Sequence, residues 1–252
     1  MLIRHTLLIL STLKEFLLKS LQRFNLRQLV IMVQYMTNHN ALTNMIKQQL
    51  RTGDILDESI LNLYHQIPRH EFVPEEFVHF AYSDMQIPLA HDQQMLTPLE
   101  EGKILQNLAL TGNEVVLEVG TGSGFFTALL SRLAKKVISI DYFADLTDGA
   151  AKKLTQYQCD NVQLITGDAC RGWLEMAPYN VIVFTGALES LTETHRLQLL
   201  PGGRLFAIVG KEPIMQGQLH HLNHEGNWSE AVLFETEIPL LINKLKPKEF
   251  IF

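Results

Sequence analysis

The stretch Val116-Leu117-Glu118-Val119-Gly120-Thr121-Gly122-Ser123-Gly124 decides how this chain folds. Val116, Leu117 and Val119 make a short apolar strand, and glycines follow at 120, 122 and 124. Missing Cβ atoms let the backbone turn tightly there and approach a ligand closely. An apolar helical pattern then runs to about Ala134. Strand, glycine turn and helix in that order open a βα unit.

Working outward, the alternation continues. Strands are expected at Glu114–Val119, Lys136–Ile140, Val162–Thr166, Asn180–Thr185 and Arg204–Val209, with helices over Leu146–Tyr157 and Thr192–Leu199. Strands apolar on both faces, separated by helices, argue a doubly wound parallel sheet. The tail differs, because Gln216–Asn223 and Ala231–Ile238 flank Glu225-Gly226-Asn227, a hairpin signal. The fold class is therefore α/β, with a seven-stranded, mostly parallel sheet closing on a C-terminal antiparallel hairpin. Upstream, residues 40–110 read as helices and loops that join the 111–252 core in one domain. Ala41–Leu50 and Glu58–Gln66 have helical spacing, with Asp57 as N-cap. Thr97-Pro98-Leu99-Glu100 is a capping box opening a helix to about Leu110. Between them Pro68–Thr97 has loop chemistry with high apolar content, an ordered segment lying over something.

Composition sets the outer bounds. The 252 residues are 46% hydrophobic and 19% charged, which excludes disordered and collagen-like chains. A net charge of −6 argues against nucleic acid as a partner. Cys159 and Cys170 are the only cysteines, too few for a disulfide scaffold or a four-cysteine zinc site, and a reducing, cytoplasmic location fits. Residues 1–35 carry five basic residues and one acid, leaving −10 for the rest. Charges interrupt this segment before the ~18 apolar residues a spanning helix needs. Residues 1–39 then read as a basic amphipathic extension with three open accounts: a helix on a membrane or partner, an added helix on the domain, or an over-long start with Met32 or Met36 as the true beginning.

The glycine turn alone is weak evidence, since dinucleotide enzymes use a G-x-G-x-x-G version for pyrophosphate. Here the spacing is G-x-G-x-G and Glu118 stands just before it. A carboxylate suits the ammonium of an amino-acid-bearing cofactor and opposes a pyrophosphate. S-adenosyl-L-methionine has that ammonium and no phosphate. Asp141 at the end of the second strand suits both ribose hydroxyls, and Asp168 at the end of the third suits an adenine amino group. Each aspartate alone serves equally as a cap or turn former. The three acids together favour S-adenosyl-L-methionine. The expected cofactor set is Glu118, Gly120, Thr121, Gly122, Gly124, Asp141, Tyr142, Asp168, Ala169 and Thr185.

At these residues the chain resembles the protein-L-isoaspartate O-methyltransferase family. The likeness spans about Met45–Leu241 and includes Met45–Leu50, Pro68-Arg69-His70-Glu71-Phe72-Val73-Pro74, Ala81-Tyr82-Ser83-Asp84, Leu117–Gly124, Asp160-Asn161-Val162 and Leu200-Pro201-Gly202-Gly203-Arg204-Leu205. The resemblance implies the methyltransferase version of this fold, and methyl transfer to a carboxylate of damaged aspartyl residues in a protein or peptide substrate. One loop departs. Family members read roughly Gly-Gln-Thr-Ile-Ser before a residue and a Pro, whereas here the run is Asp92-Gln93-Gln94-Met95-Leu96-Thr97-Pro98. Leu96 stands at the active-site serine and Gln94 at the threonine, so that hydroxyl hydrogen bond is lost. Gln93, Gln94 and Thr97 remain as loop candidates for catalysis, with Thr97 already expected as a helix cap. A divergent branch of the family carries a similar Gln-x-Met-Leu-x-Pro loop.

Other signals carry less. His220-His221-Leu222-Asn223-His224 resembles a metal motif, but strand alternation splits its first two histidines, and exposed hairpin histidines without metal are expected. His91 either touches substrate or lies on the surface. Thr185-Gly186-Ala187 either leaves room for substrate or makes a turn. The functional readings are thus a carboxyl methyltransferase, a cofactor-binding sensor or partner module without transfer, and, disfavoured by Glu118 and the glycine spacing, an NAD-dependent oxidoreductase.

Overall fold

The structure is a computed structural model, and it describes residues 26–242. The chain divides into two compact units, Met1–Asn44 and Met45–Phe252. In the first unit the described residues lie in helix α1 (Leu26–Met45). Of the basic segment 1–35, residues 26–35 lie in α1, while residues 1–25 lie outside the described residues, and the membrane and partner readings with them. Among the described residues no helix is long and apolar enough to cross a membrane.

The second unit opens with a wide helical turn, Ile46–Leu50, and then α2 (Glu58–Gln66). The Asp57 side chain accepts from the Ser59 amide, as an N-cap must to satisfy a free helix-start donor. Pro68–Thr97 is ordered, with short 3-10 turns and a two-residue ladder between β1 (Ile87–Pro88) and β2 (Gln94–Met95). Arg69, Phe72, Ala81 and Ile87 anchor it, each with no exposed surface. The segment covers the core and is fixed from beneath by these side chains. Helix α3 (Pro98–Leu108) follows, with both hydrogen bonds of the Thr97–Glu100 capping box in place.

Seven strands form the main sheet: β3 (Val115–Val119), β4 (Lys136–Asp141), β5 (Val162–Thr166), β6 (Tyr179–Leu188), β7 (Leu199–Lys211), β8 (Ile214–Leu222) and β9 (Trp228–Thr236). Their order is β5-β4-β3-β6-β7-β8-β9, parallel through β7 and antiparallel over the last two pairings. Helices α4 (Phe125–Leu133) and α5 (Ala144–Gln156) connect the first three strands. Leu117, Ile138, Ile182, Phe184 and Leu205 form one buried core cluster.

Three expectations change. The helix expected over Thr192–Leu199 is a single turn, α6 (Glu193–Arg196), because β7 begins at Leu199. Strand β6 continues through Thr185-Gly186-Ala187, so these residues make no turn, and a Cβ on Gly186 would lie 2.5 Å from Leu241 Cδ2. Their small size therefore accommodates the returning tail, which pairs with β6 through the Ala187 and Leu241 amides. In the hairpin His221 is exposed but His220 is buried, facing Gln218 and Glu230.

Candidate active site

Strand β3 pairs with β4 on one side and β6 on the other. The chain therefore leaves in opposite directions from the two flanks of β3, a switch point whose crevice lies at the carboxyl ends of the strands. The glycine turn sits there. Gly120 has φ +105°, and an added Cβ would lie 2.2 Å from Thr185 Oγ1. That hydroxyl donates to the carbonyl oxygens of Val119 (3.1 Å) and Gly120 (2.7 Å), tying β6 to the turn. Gly124, at φ +83°, opens α4, and a Cβ there would meet Ala150 Cβ at 2.9 Å. Only glycine allows α4 and α5 to approach this closely.

Three adjoining clefts share Gly120. The first is lined by Asp141, Tyr142, Asp168, Ala169 and Cys170. The second lies over Asp141, Gln93, Gln94 and Thr185. The third shares only Gly120 with the first and is lined by Gln94, Leu96, Glu101, Thr121, Gly122 and Phe125. Together they make one path along the strand ends, carrying acids at both extremities.

Asp141 ends β4 and is largely buried, which raises its carboxyl above the usual range. Its Oδ2 accepts from the Gly122 amide at 2.8 Å and its Oδ1 from the Phe143 amide at 3.0 Å. A carboxylate has about four acceptor positions, so capacity remains for two further donors. Asp168 is exposed, and its Oδ1 accepts from the Cys170 amide at 3.1 Å. Tyr142 is half-exposed beside it.

Glu118 behaves differently. It is opposite Ser139 in the β3–β4 register, and its Oε2 accepts from Ser139 Oγ and Thr127 Oγ1, both at 2.6 Å. The side chain is wholly buried between β4 and α4, and burial pushes its carboxyl up to about 8. It lines none of the three clefts. The acid expected to meet an ammonium is turned into the protein.

The departing loop is held from behind. Leu96 is buried, and its carbonyl oxygen accepts from Arg69 Nη2 at 2.6 Å. Gln94 Nε2 donates to Gln86 Oε1 at 2.8 Å and to the Glu237 carbonyl at 3.3 Å, while Gln93 Nε2 donates to the His91 carbonyl. Both glutamines line clefts. Thr97 lines none of the three, since its hydroxyl accepts from the Glu100 amide as the cap of α3. His91, in a left-handed conformation at φ 60°, stacks on Phe143 at 3.9 Å and reaches the Asp145 carboxylate at 2.9 Å. It thus pins the loop to the start of α5.

Sequence reasoning missed Arg69 and Glu101. Arg69 is fully buried, donates to Glu101, and lies over the Phe125 ring at 5.1 Å. Glu101 lines the third cleft, and burial outweighs Arg69 in pushing its carboxyl up to about 7. Arg69 stands in the Pro68–Pro74 stretch and Glu101 in a capping turn, and no local pattern brings them together.

The family model for protein-L-isoaspartate(D-aspartate) O-methyltransferase matches residues 39–237. The chain belongs to this family. It is 34% identical over 208 residues to the protein-L-isoaspartate O-methyltransferase of Aliivibrio fischeri, a match covering 82% of this chain and 99% of that one. Protein-L-isoaspartate O-methyltransferase 2 of Shewanella sediminis is 38% identical over 170 residues, covering 68% and 70%. A solved Plasmodium falciparum structure, given as a protein-L-isoaspartate O-methyltransferase in complex with S-adenosyl-L-homocysteine, superposes with a TM-score of 0.66 at 18% identity. It covers 80% of this chain and 96% of its own, a likeness of fold. The family match takes in the Pro68–Thr97 segment, the glycine turn, Glu118, Asp141 and Asp168, and the hairpin. Among the described residues no group of three or more His, Cys, Asp or Glu side chains is placed to hold a metal.

Proposed function

We propose that this family member is an S-adenosyl-L-methionine-dependent carboxyl O-methyltransferase acting on damaged aspartyl residues of proteins or peptides. The observation that carries the reading is the path of three clefts meeting at Gly120, floored by a cradle that a Cβ would fill. Asp168 and Ala169 suit the adenine end, Asp141 and Tyr142 the ribose, and Gly120, Thr121, Gly122, Gly124 and Thr185 shape the floor beneath the remainder. When bound, the cofactor supplies an electrophilic methyl on a sulfonium.

The rest of the chemistry falls to placement. A substrate carboxylate has a pKa near 4 and is ionised at neutral pH, so this nucleophile requires no general base. What the protein must do is align it at about 3 Å from the methyl and exclude water. Gln93 and Gln94 present amide groups beside the second cleft, and the buried Leu96 supplies an apolar wall to the third. Without a hydroxyl at Leu96 one orienting hydrogen bond is missing, a loss of positioning that leaves the nucleophile intact.

That leucine also favours a second reading, a cofactor-binding sensor or interaction module in which transfer is lost. One experiment separates them. The chain is incubated with methyl-labelled cofactor and an isoaspartyl peptide, with the normal aspartyl peptide as control. Label on the isoaspartyl peptide alone supports the enzyme. Tight S-adenosyl-L-homocysteine binding without transfer supports the module, and NAD binding in place of it removes both.

A further inference from the structure

Two carboxylate oxygens near the glycine turn are buried with no hydrogen-bond partner: Glu118 Oε1 and Glu101 Oε2. Leaving such an atom unpaired is costly, so each calls for an occupant of its surroundings. Their surroundings differ. Glu118 lines none of the clefts at Gly120, whereas Glu101, only 1% exposed, lines the third together with Thr121, Gly122 and Phe125.

Direction along the path then matters. Asp168 and Asp141 occupy the first cleft and suit the nucleoside half of the proposed cofactor. The third cleft shares only Gly120 with the first, so it is the place left for the other half, the amino acid. Its lining contains one acid, Glu101. Arg69 fixes that acid by donating to Oε1, leaving Oε2 as the free acceptor. The Arg69 guanidinium is itself held by the Leu96 carbonyl and the Phe125 ring, so the pair is rigid.

We infer that Glu101, oriented by Arg69, is the anionic partner of the cofactor's ammonium group, the role that sequence reasoning gave to Glu118. This rests on the proposed cofactor reading and names the residue that discriminates its amino-acid end. The departing loop and α3 thereby contribute directly to cofactor recognition, coupling Leu96 and the ammonium site through one guanidinium.

The test is calorimetric titration of the full chain with two ligands. S-adenosyl-L-homocysteine carries the amino acid, and 5′-methylthioadenosine keeps the nucleoside and thioether without it. Glu101→Gln is expected to weaken S-adenosyl-L-homocysteine by about tenfold or more, the scale of one charge-assisted hydrogen bond. Affinity for 5′-methylthioadenosine is expected to stay within about twofold. Should the stranded Arg69 charge prevent folding, the Arg69→Met, Glu101→Gln double variant removes both charges and carries the same expectation. Unchanged S-adenosyl-L-homocysteine affinity overturns the inference, and so does an equal loss for both ligands, which marks a merely structural pair. A wild-type chain that binds neither ligand overturns the proposed function as well.

Discussion

Arg69 Nη2 donates to the Leu96 carbonyl oxygen at 2.6 Å, joining the first turn after α2 to the Asp92–Pro98 loop. The same guanidinium pairs with Glu101, and all three residues are buried. Removing one partner of a buried ion pair strands the other charge and typically costs about 3–5 kcal/mol. Arg69→Ala is therefore expected to lower the melting temperature by roughly 10 °C. It is also expected to increase protease cleavage within residues 90–97, read by limited proteolysis and mass spectrometry. An unchanged melting temperature would show that the pair contributes nothing net.

Leu96→Ser introduces a hydroxyl at the loop position that the sequence resemblance aligns with a serine. If positioning is what this loop lacks, kcat/KM for an isoaspartyl peptide rises by on the order of tenfold. Stability is expected to fall by about 2 kcal/mol, because a buried isobutyl group leaves a cavity. Activity and denaturant unfolding measured on the same preparation separate the two effects.

Gly120→Ala introduces a Cβ 2.2 Å from Thr185 Oγ1 at a φ of +105°. Neither the backbone nor the neighbouring strand accepts this without moving, so the Thr185 bond to the Gly120 carbonyl breaks. A loss of S-adenosyl-L-homocysteine affinity of about tenfold or more is expected, since Gly120 borders all three clefts. Gly149→Ala, on an open stretch of α5, is the matched control and should leave binding unchanged.

Burial raises Glu118 to about 8 and Glu101 to about 7. Both start from an ordinary value of 4.5, so between about 5 and 8 the folded state holds protons that the unfolded chain has released. The stabilisation is full below the unfolded value and is lost as pH rises through the folded one. The melting temperature is thus expected to decline from pH 5 to pH 8.5. Glu118→Gln should flatten that slope and be the more stable protein at pH 8.5. A wild-type profile that rises over this range would contradict the placement of these carboxyls.

Much of this was legible locally. Asp57 and the Thr97–Glu100 pair announce their helices because capping is decided within four residues. The strand–glycine–helix run and the hairpin likewise follow from short-range chemistry, and β5 has the bounds its sequence implies. The helix expected at Thr192–Leu199 is cut to Glu193–Arg196, and its last residue, Leu199, already pairs with Tyr179 of β6.

The acids mark the boundary most sharply. Asp141 and Asp168 line the first cleft, near the carboxyl ends of β4 and β5 where the alternation of elements put them. Glu118 does not. Within a strand the side chain follows the pleat, and its partners Thr127 and Ser139 were visible only once β4 and α4 were packed against it. Arg69 and Glu101 meet across 32 residues of chain, a separation no periodicity encodes. By itself, then, the sequence determined the order of elements, the glycine cradle and the kind of cofactor to expect. Only the tertiary structure decided which carboxylates face that cradle, because facing is set by long-range packing and register.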